Sequence, residues 1–155
     1  MQQLKIYASL LLLAASINCV AESNQPPGIA CLVALADKPE LSILKGKMLT
    51  GTTDGPTFEM MANTKKPTKK EKVAIALLVS DVDGCIHQGD EWRAKNWPPS
   101  SNACYDQYVM AIMALTADLY AGTVTYGNYE QCIAASNAKF KADSSETVEK
   151  IKAGQ

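Results

Sequence analysis

The stretch Asn102–Tyr129, NACYDQYVMAIMALTADLYAGTVTYGNY, decides the fold. Tyr105, Tyr108, Val109, Ile112, Leu115, Thr116 and Leu119 recur at helical spacing and form one apolar stripe. Gly122 follows Leu119-Tyr120-Ala121 where a left-handed C-cap would end that helix, and Thr125 supplies an N-cap hydroxyl for the next. Val124 and Tyr129 occupy the two positions of a hydrophobic staple around this cap. Residues Ala121 to Tyr129 are therefore the bend of an antiparallel helical hairpin.

Working upstream, Thr68-Lys-Lys-Glu71 is a capping box, and Pro67 marks its boundary. The following run from Val73 to Val79 is apolar on nearly every side, as expected of a central, surrounded helix. The same run suits a buried strand, but the capping box and the alanines favour helix. Asp37-Lys-Pro-Glu40 repeats the capping logic and starts a short helix whose apolar face is Leu41, Ile43, Leu44 and Met48. Residues Ile29 to Ala36 form another helix, and Thr57 to Ala62 a turn or two more after the loop Gly51–Pro56. Strand pairs with hairpin turn chemistry are not evident. The expected class is all-α: a small disulfide-stabilised helical bundle with a C-terminal antiparallel helical hairpin.

At the N-terminus Lys5, the apolar run Ile6 to Ala15 and the small residues of Cys19-Val20-Ala21 have the build of a secretory signal peptide, residues 1–21. Cleavage leaves a single helical domain, residues 22–155, in a periplasmic or secreted, oxidising compartment. Lipid anchoring at Cys19 is the alternative, although Asn18 and Ser16 suit a lipoprotein signal poorly. The apolar run falls short of the ~20 residues that span a bilayer, so no integral membrane span is expected in the mature chain. Of the chain's 15 basic and 16 acidic residues only Lys5 leaves with the leader, giving 14 against 16 and a net charge of −2. That balance argues against a nucleic-acid partner and offers no overall attraction to an anionic membrane.

Four cysteines remain after cleavage, Cys31, Cys85, Cys104 and Cys132, and an even number in an exported chain implies two disulfides. Cys104 and Cys132 stand at unequal distances from the hairpin bend, roughly 18 Å apart along a straight pair of helices. A bridge needs Cα atoms within ~7 Å, so that pairing is excluded. The geometry favours Cys85 with Cys104 and Cys31 with Cys132; Cys31 with Cys85 stands if the other two stay free. No pair forms CxxC or the CxxCH of haem attachment.

The segment Ile86 to Ser100, IHQGDEWRAKNWPPS, reads as a long connection that carries both tryptophans and the only histidine and arginine. Trp92, Arg93 and Trp97 are residue types favoured at binding hot spots and are the candidate binding residues. The competing reading folds both indoles over the core. Asp81, Asp83, His87, Asp90 and Glu91 cluster in sequence but fail the EF-hand spacing, and one histidine is a weak basis for zinc. Met110 and Met113, with Met48, Met60 and Met61, are explained by packing before copper. Neither a metal nor another cofactor is expected. Lys65-Lys66-Pro-Thr-Lys69-Lys70-Glu-Lys72 is the one basic cluster; its default is a solvated loop entering a helix, though lysines there oppose the helix dipole. With His87 alone and no G-x-S-x-G turn, phosphate loop or HExxH helix, the chain is not expected to be an enzyme.

The segment Ala117–Tyr129 resembles a helical hairpin of small exported bacterial proteins of unknown function, in which a "DLxAGxxTYGxY" bend joins two long helices. The matching residues are Asp118, Leu119, Ala121, Gly122, Thr125, Tyr126, Gly127 and Tyr129. The resemblance implies fold and export and carries no catalytic residue. Three roles follow as expectations. The first is a non-catalytic interaction or structural role in the cell envelope, with a protein or envelope component bound through the Trp92–Trp97 segment. The second is a periplasmic immunity or inhibitor protein that neutralises a toxin or hydrolase. The third is a small-ligand or metal-binding module.

Overall fold

The computed structural model describes residues 27–51 and 55–153; the expected leader, with Cys19, lies outside them. Among these residues the ordered elements are helices. They are α1 (Pro27–Ala34), two 3-10 turns at Leu35–Asp37 and Pro39–Leu44, α2 (Phe58–Met61), α3 (Lys69–Gln88), α4 (Asp90–Asn96), α5 (Pro99–Ala121) and α6 (Tyr126–Lys152).

The hairpin forms as its sequence dictates. Gly122 closes α5 at φ 82°, in the left-handed region where a side chain would strain the backbone. The amides of Gly122 and Thr123 both donate to the Asp118 carbonyl, each at 3.0 Å. The Thr125 hydroxyl accepts from the Asn128 amide at 3.2 Å and opens α6. The pairs Thr116 with Tyr129, Tyr108 with Asn137 and Cys104 with Ser144 cross the interface in antiparallel register.

Helix α3 runs through the middle of the fold and begins on the expected capping box. The Thr68 amide donates to Glu71 Oε2 at 2.6 Å while the Thr68 hydroxyl accepts the Glu71 amide. Ala74, Ile75, Leu78 and Cys85 face the core with Leu35, Leu41, Leu44, Met48, Leu119, Tyr126, Tyr129 and Ile133. The helix is not surrounded, however: Val73 is 72 % exposed.

Two local expectations are corrected. Asp37 does not cap a helix; Pro39 stands in the first turn of a 3-10 segment whose cap, Lys38, contributes no side-chain bond. The segment Ile86 to Ser100 is not an open loop. Helix α3 continues to Gln88, and α4 follows with Asp90 and Glu91 in its first turn and Lys95 in its last, the charge order that a helix dipole favours.

The favoured disulfide pairs, Cys85 with Cys104 and Cys31 with Cys132, are corrected to the alternative: Cys31 is bonded to Cys85, with Cα atoms 5.4 Å apart, and Cys104 and Cys132 are free thiols. Helix α1 packs on α3 rather than on α6, which takes Cys31 away from Cys132. The contact is close because Gly28 lacks a Cβ; one added there would lie 2.3 Å from the Cys85 carbonyl oxygen. Arg93 of α4 and Trp97 just after it pack on Tyr105, while the thiol of Cys104 lies 3.9 Å from the Ser144 hydroxyl on α6. The bridge spans 54 residues of sequence and is worth about 4 kcal/mol by loop-closure entropy. Cys31→Ala/Cys85→Ala should therefore destabilise the domain by about 2–4 kcal/mol in urea titration. Peptide mapping without reduction should return a Cys31–Cys85 crosslink and alkylated Cys104 and Cys132; a Cys85–Cys104 crosslink would contradict the arrangement.

Candidate functional site

An apolar cleft of about 260 Å³ lies among α1, α3, α5 and α6. Helix α1 supplies Ile29, Leu32 and Val33; α3 supplies Leu78, Val79, Val82 and Ile86. The opposite wall is Tyr105, Tyr108, Val109, Ile112, Met113 and Thr116 from α5 with Tyr129, Ile133 and Asn137 from α6, and Leu49 and Gly51 close one end. The volume exceeds the ~150 Å³ of an engineered cavity that admits benzene.

No acidic, basic or histidine side chain lines this cleft. Its polarity comes from two bonded pairs and the phenol of Tyr105. The Tyr108 hydroxyl donates to Asn137 Oδ1 at 2.6 Å. The Thr116 hydroxyl donates to the Ile112 carbonyl at 2.8 Å and so accepts from the Tyr129 hydroxyl at 3.2 Å. Burial pushes the phenol of Tyr129 up to about 12, and also raises those of Tyr105 and Tyr108. All three stay neutral at physiological pH, and each phenolic oxygen keeps a lone pair for a ligand donor.

The expected binding residues stand beside this cleft, not in an open patch. Arg93 is 6 % exposed; its guanidinium donates to the Ile86 carbonyl at 3.0 Å, pairs with Asp90 and stacks 4.5 Å over the Tyr105 ring. Trp92 and Trp97 are half-buried and meet edge to face at 6.2 Å, and Trp97 continues to Tyr105 at 5.7 Å. Phe140 extends the chain by stacking on Tyr108 at 4.6 Å. These aromatics clamp α4, α5 and α6 together and hold Tyr105 against the cleft. Trp97 and Pro98 also border an open apolar groove of about 520 Å³ toward Val148 and Ile151.

The acidic cluster is consumed locally. Asp81 pairs with Lys38 at 2.7 Å, and His87 Nδ1 lies 2.8 Å from the Asp83 carbonyl, which, ahead of the Asp83 and Asp90 carboxylates, raises the histidine pKa. Among the described residues no three His, Cys, Asp or Glu side chains gather as a metal site. Met48 is buried in the core, while Met110 is exposed.

Sequence reasoning missed Glu130. It is fully buried; Oε1 accepts the Leu49 amide at 2.9 Å, and Oε2 has no hydrogen-bond partner among the described residues. The signal was present: Tyr126, Tyr129, Glu130 and Ile133 follow helical spacing, which puts a carboxylate on an apolar stripe. Burial drives its pKa up to about 7, with the Leu49 bond opposing. The folded protein thus holds a proton that the unfolded chain releases near the ordinary carboxylate value. Stability from this group is full below that value and is lost as pH rises through about 7. The melting temperature should rise as pH falls from about 8 to 5, with up to about 3 kcal/mol at stake. Glu130→Gln should raise stability at the alkaline end and leave only the weaker dependence of the exposed His87, which has the same sign. An unchanged slope in calorimetry would remove Glu130 as its source.

Comparison of the chain with protein-family models, curated proteins and solved structures finds no match.

Proposed function

We propose that this chain is an exported helical domain that binds a small apolar molecule in the cleft between α1 and the α5–α6 hairpin. The observation that carries the reading is the lining: a concave site built from aliphatic and aromatic side chains, free of formal charge, with two hydroxyl-bearing pairs on one wall. A charged ligand group buried there would lose its hydration without a counter-charge, so the enclosed part of the ligand is neutral. A hydroxyl or amide on it would meet the oxygen of Tyr108 or Tyr129.

This reading takes precedence over the envelope-contact role of Trp92, Arg93 and Trp97, because the guanidinium of Arg93 is already satisfied inside the fold. It is a binding function without a reaction. Export is supported by the Cys31–Cys85 bridge, since such bonds persist in oxidising compartments. No helix of the described residues is long and apolar enough to cross a membrane.

A neutral fluorescent naphthylamine tests the site. It should bind the oxidised protein with enhanced emission, and Ile112→Trp, which places an indole in the cleft, should weaken binding at least about tenfold. The bridge-deleted Cys31→Ala/Cys85→Ala variant, compared at a temperature where it remains folded, should also bind more weakly, because the α1 wall is loosened. Equal binding by the wild type and a folded Ile112→Trp variant would place the dye elsewhere.

A further inference from the structure

The near-zero net charge conceals a polar distribution along the bundle. Lys65, Lys66, Lys69, Lys70 and Lys72 gather within eight residues, and the fold brings them to the end where the hairpin bends. The Lys65 carbonyl accepts the first amide of α6, from Tyr126, at 2.9 Å. Lys72 Nζ donates to the Ala121 carbonyl at 3.2 Å and lies 5.6 Å from the Tyr120 ring centre, which sets the start of α3 against the end of α5. Lys65, Lys66, Lys69 and Lys70 are exposed. Carboxylates near this end do not cancel the cluster. Glu71 is buried and paired with Lys47, Glu130 is buried, and Glu59 and Asp118 remain as exposed acids. Of the acids toward the other end of α3 and the start of α4, Asp81 is paired with Lys38 and Asp90 with Arg93, which leaves Asp83 and Glu91.

Large apolar side chains are exposed at the basic end. Val73, one helical turn beyond Lys69 and Lys70, is 72 % exposed, and Tyr120, beside Lys72, is 46 % exposed. Phe58 is 76 % exposed on α2, which packs on the first turns of α6. A cationic cluster interleaved with exposed Val, Tyr and Phe matches the chemistry of a bilayer interface, where lysines meet lipid phosphates and apolar groups enter the acyl boundary. An acidic protein would account for the lysines and leave the unburied apolar residues without a role.

We propose that the bend end of the bundle docks on the surface of an anionic phospholipid bilayer, through Lys65, Lys66, Lys69 and Lys70 with Val73, Tyr120 and Phe58. The docking is peripheral and reversible. It is independent of what the cleft binds, whose lining lies farther along α3 and α5 from the bend.

The test is co-sedimentation of the purified protein with phosphatidylcholine vesicles, alone or with about a third of the lipid replaced by phosphatidylglycerol, at low and high salt. Binding to the anionic vesicles should exceed binding to the neutral ones, which subtract apolar insertion of residues 1–21, while the lysine variant, which keeps Lys5, separates the charge of that segment. It should fall with salt and drop about fivefold per lysine removed, so Lys69→Ala/Lys70→Ala should lose on the order of 25-fold. Val73→Ser/Tyr120→Ser, with the charge unchanged, should also weaken it. Both variants change exposed residues, and circular dichroism confirms that they are folded before comparison. Equal binding to both vesicle types overturns the proposal. So does anionic binding that the lysine variant retains, or binding indifferent to Val73→Ser/Tyr120→Ser, which means attraction to any polyanion.

Discussion

The attachment of α1 to α3 is the constraint on which the rest of this architecture turns. A helix of eight residues does not persist in water by itself, because nucleation costs more than two turns return. Here it is held by the Cys31–Cys85 bond and by the approach that Gly28 permits to the Cys85 carbonyl. Both contacts lie on the same flank of α3, so α1 stands as a separate wall beside the α5–α6 hairpin. The space left between them is the cleft. Had Cys31 met Cys132, α1 would cover α6 and this wall would be missing.

A second constraint acts at the other end of the bundle, around Glu71. Its carboxylate accepts from the Thr68 amide and pairs with Lys47, which joins the start of α3 to the chain following the second 3-10 turn. Burial alone would raise its pKa, but Lys47 and Thr68 outweigh that and hold it below the ordinary range. Tyr126 lies beside it, with its phenol raised far above normal by burial and then by that negative charge. Glu130, one turn along α6, has no such cation, and the same burial drives its pKa up instead. The contrast shows how the partners of a buried carboxylate, here a lysine and a capping threonine, decide whether it is held charged or neutral.

The hairpin was legible because its signals are local. A glycine at the left-handed cap, a threonine at the next N-cap and a stripe at helical spacing each specify backbone without reference to distant residues. The capping box of α3 was legible for the same reason. Disulfide pairing was not, since it depends on which helix α1 leans against, and the decisive feature is a missing Cβ at Gly28 that spacing cannot expose. The Ile86–Ser100 segment misled because glycine and tandem prolines dominate its reading, whereas Asp90, Glu91 and Lys95 are ordered correctly for a short helix between them. The cleft was half legible. Tyr105, Tyr108, Val109, Ile112 and Thr116 all belong to the stripe of α5, but a stripe announces an apolar face and not whether the facing helix fills it.

Leaving that face unfilled has an energetic consequence. A sealed apolar void of this volume would cost about 6 kcal/mol at the rate found for buried cavities, comparable to the whole stability of a small domain. The cleft avoids the full penalty by staying open to solvent, at the expense of leaving Val33 exposed and Ile29, Val109 and Met113 partly so. The Tyr108–Asn137 and Tyr129–Thr116 bonds engage four of the five polar side chains that line it, Tyr105 being the fifth, so water gains few anchors there. A neutral apolar molecule that displaces that water recovers the unrealised burial without breaking a bond of the protein. A molecule spanning the cleft would touch both walls, so its binding energy would add to the hold on α1 that Cys31–Cys85 already provides, and occupancy would strengthen a helix too short to stand alone.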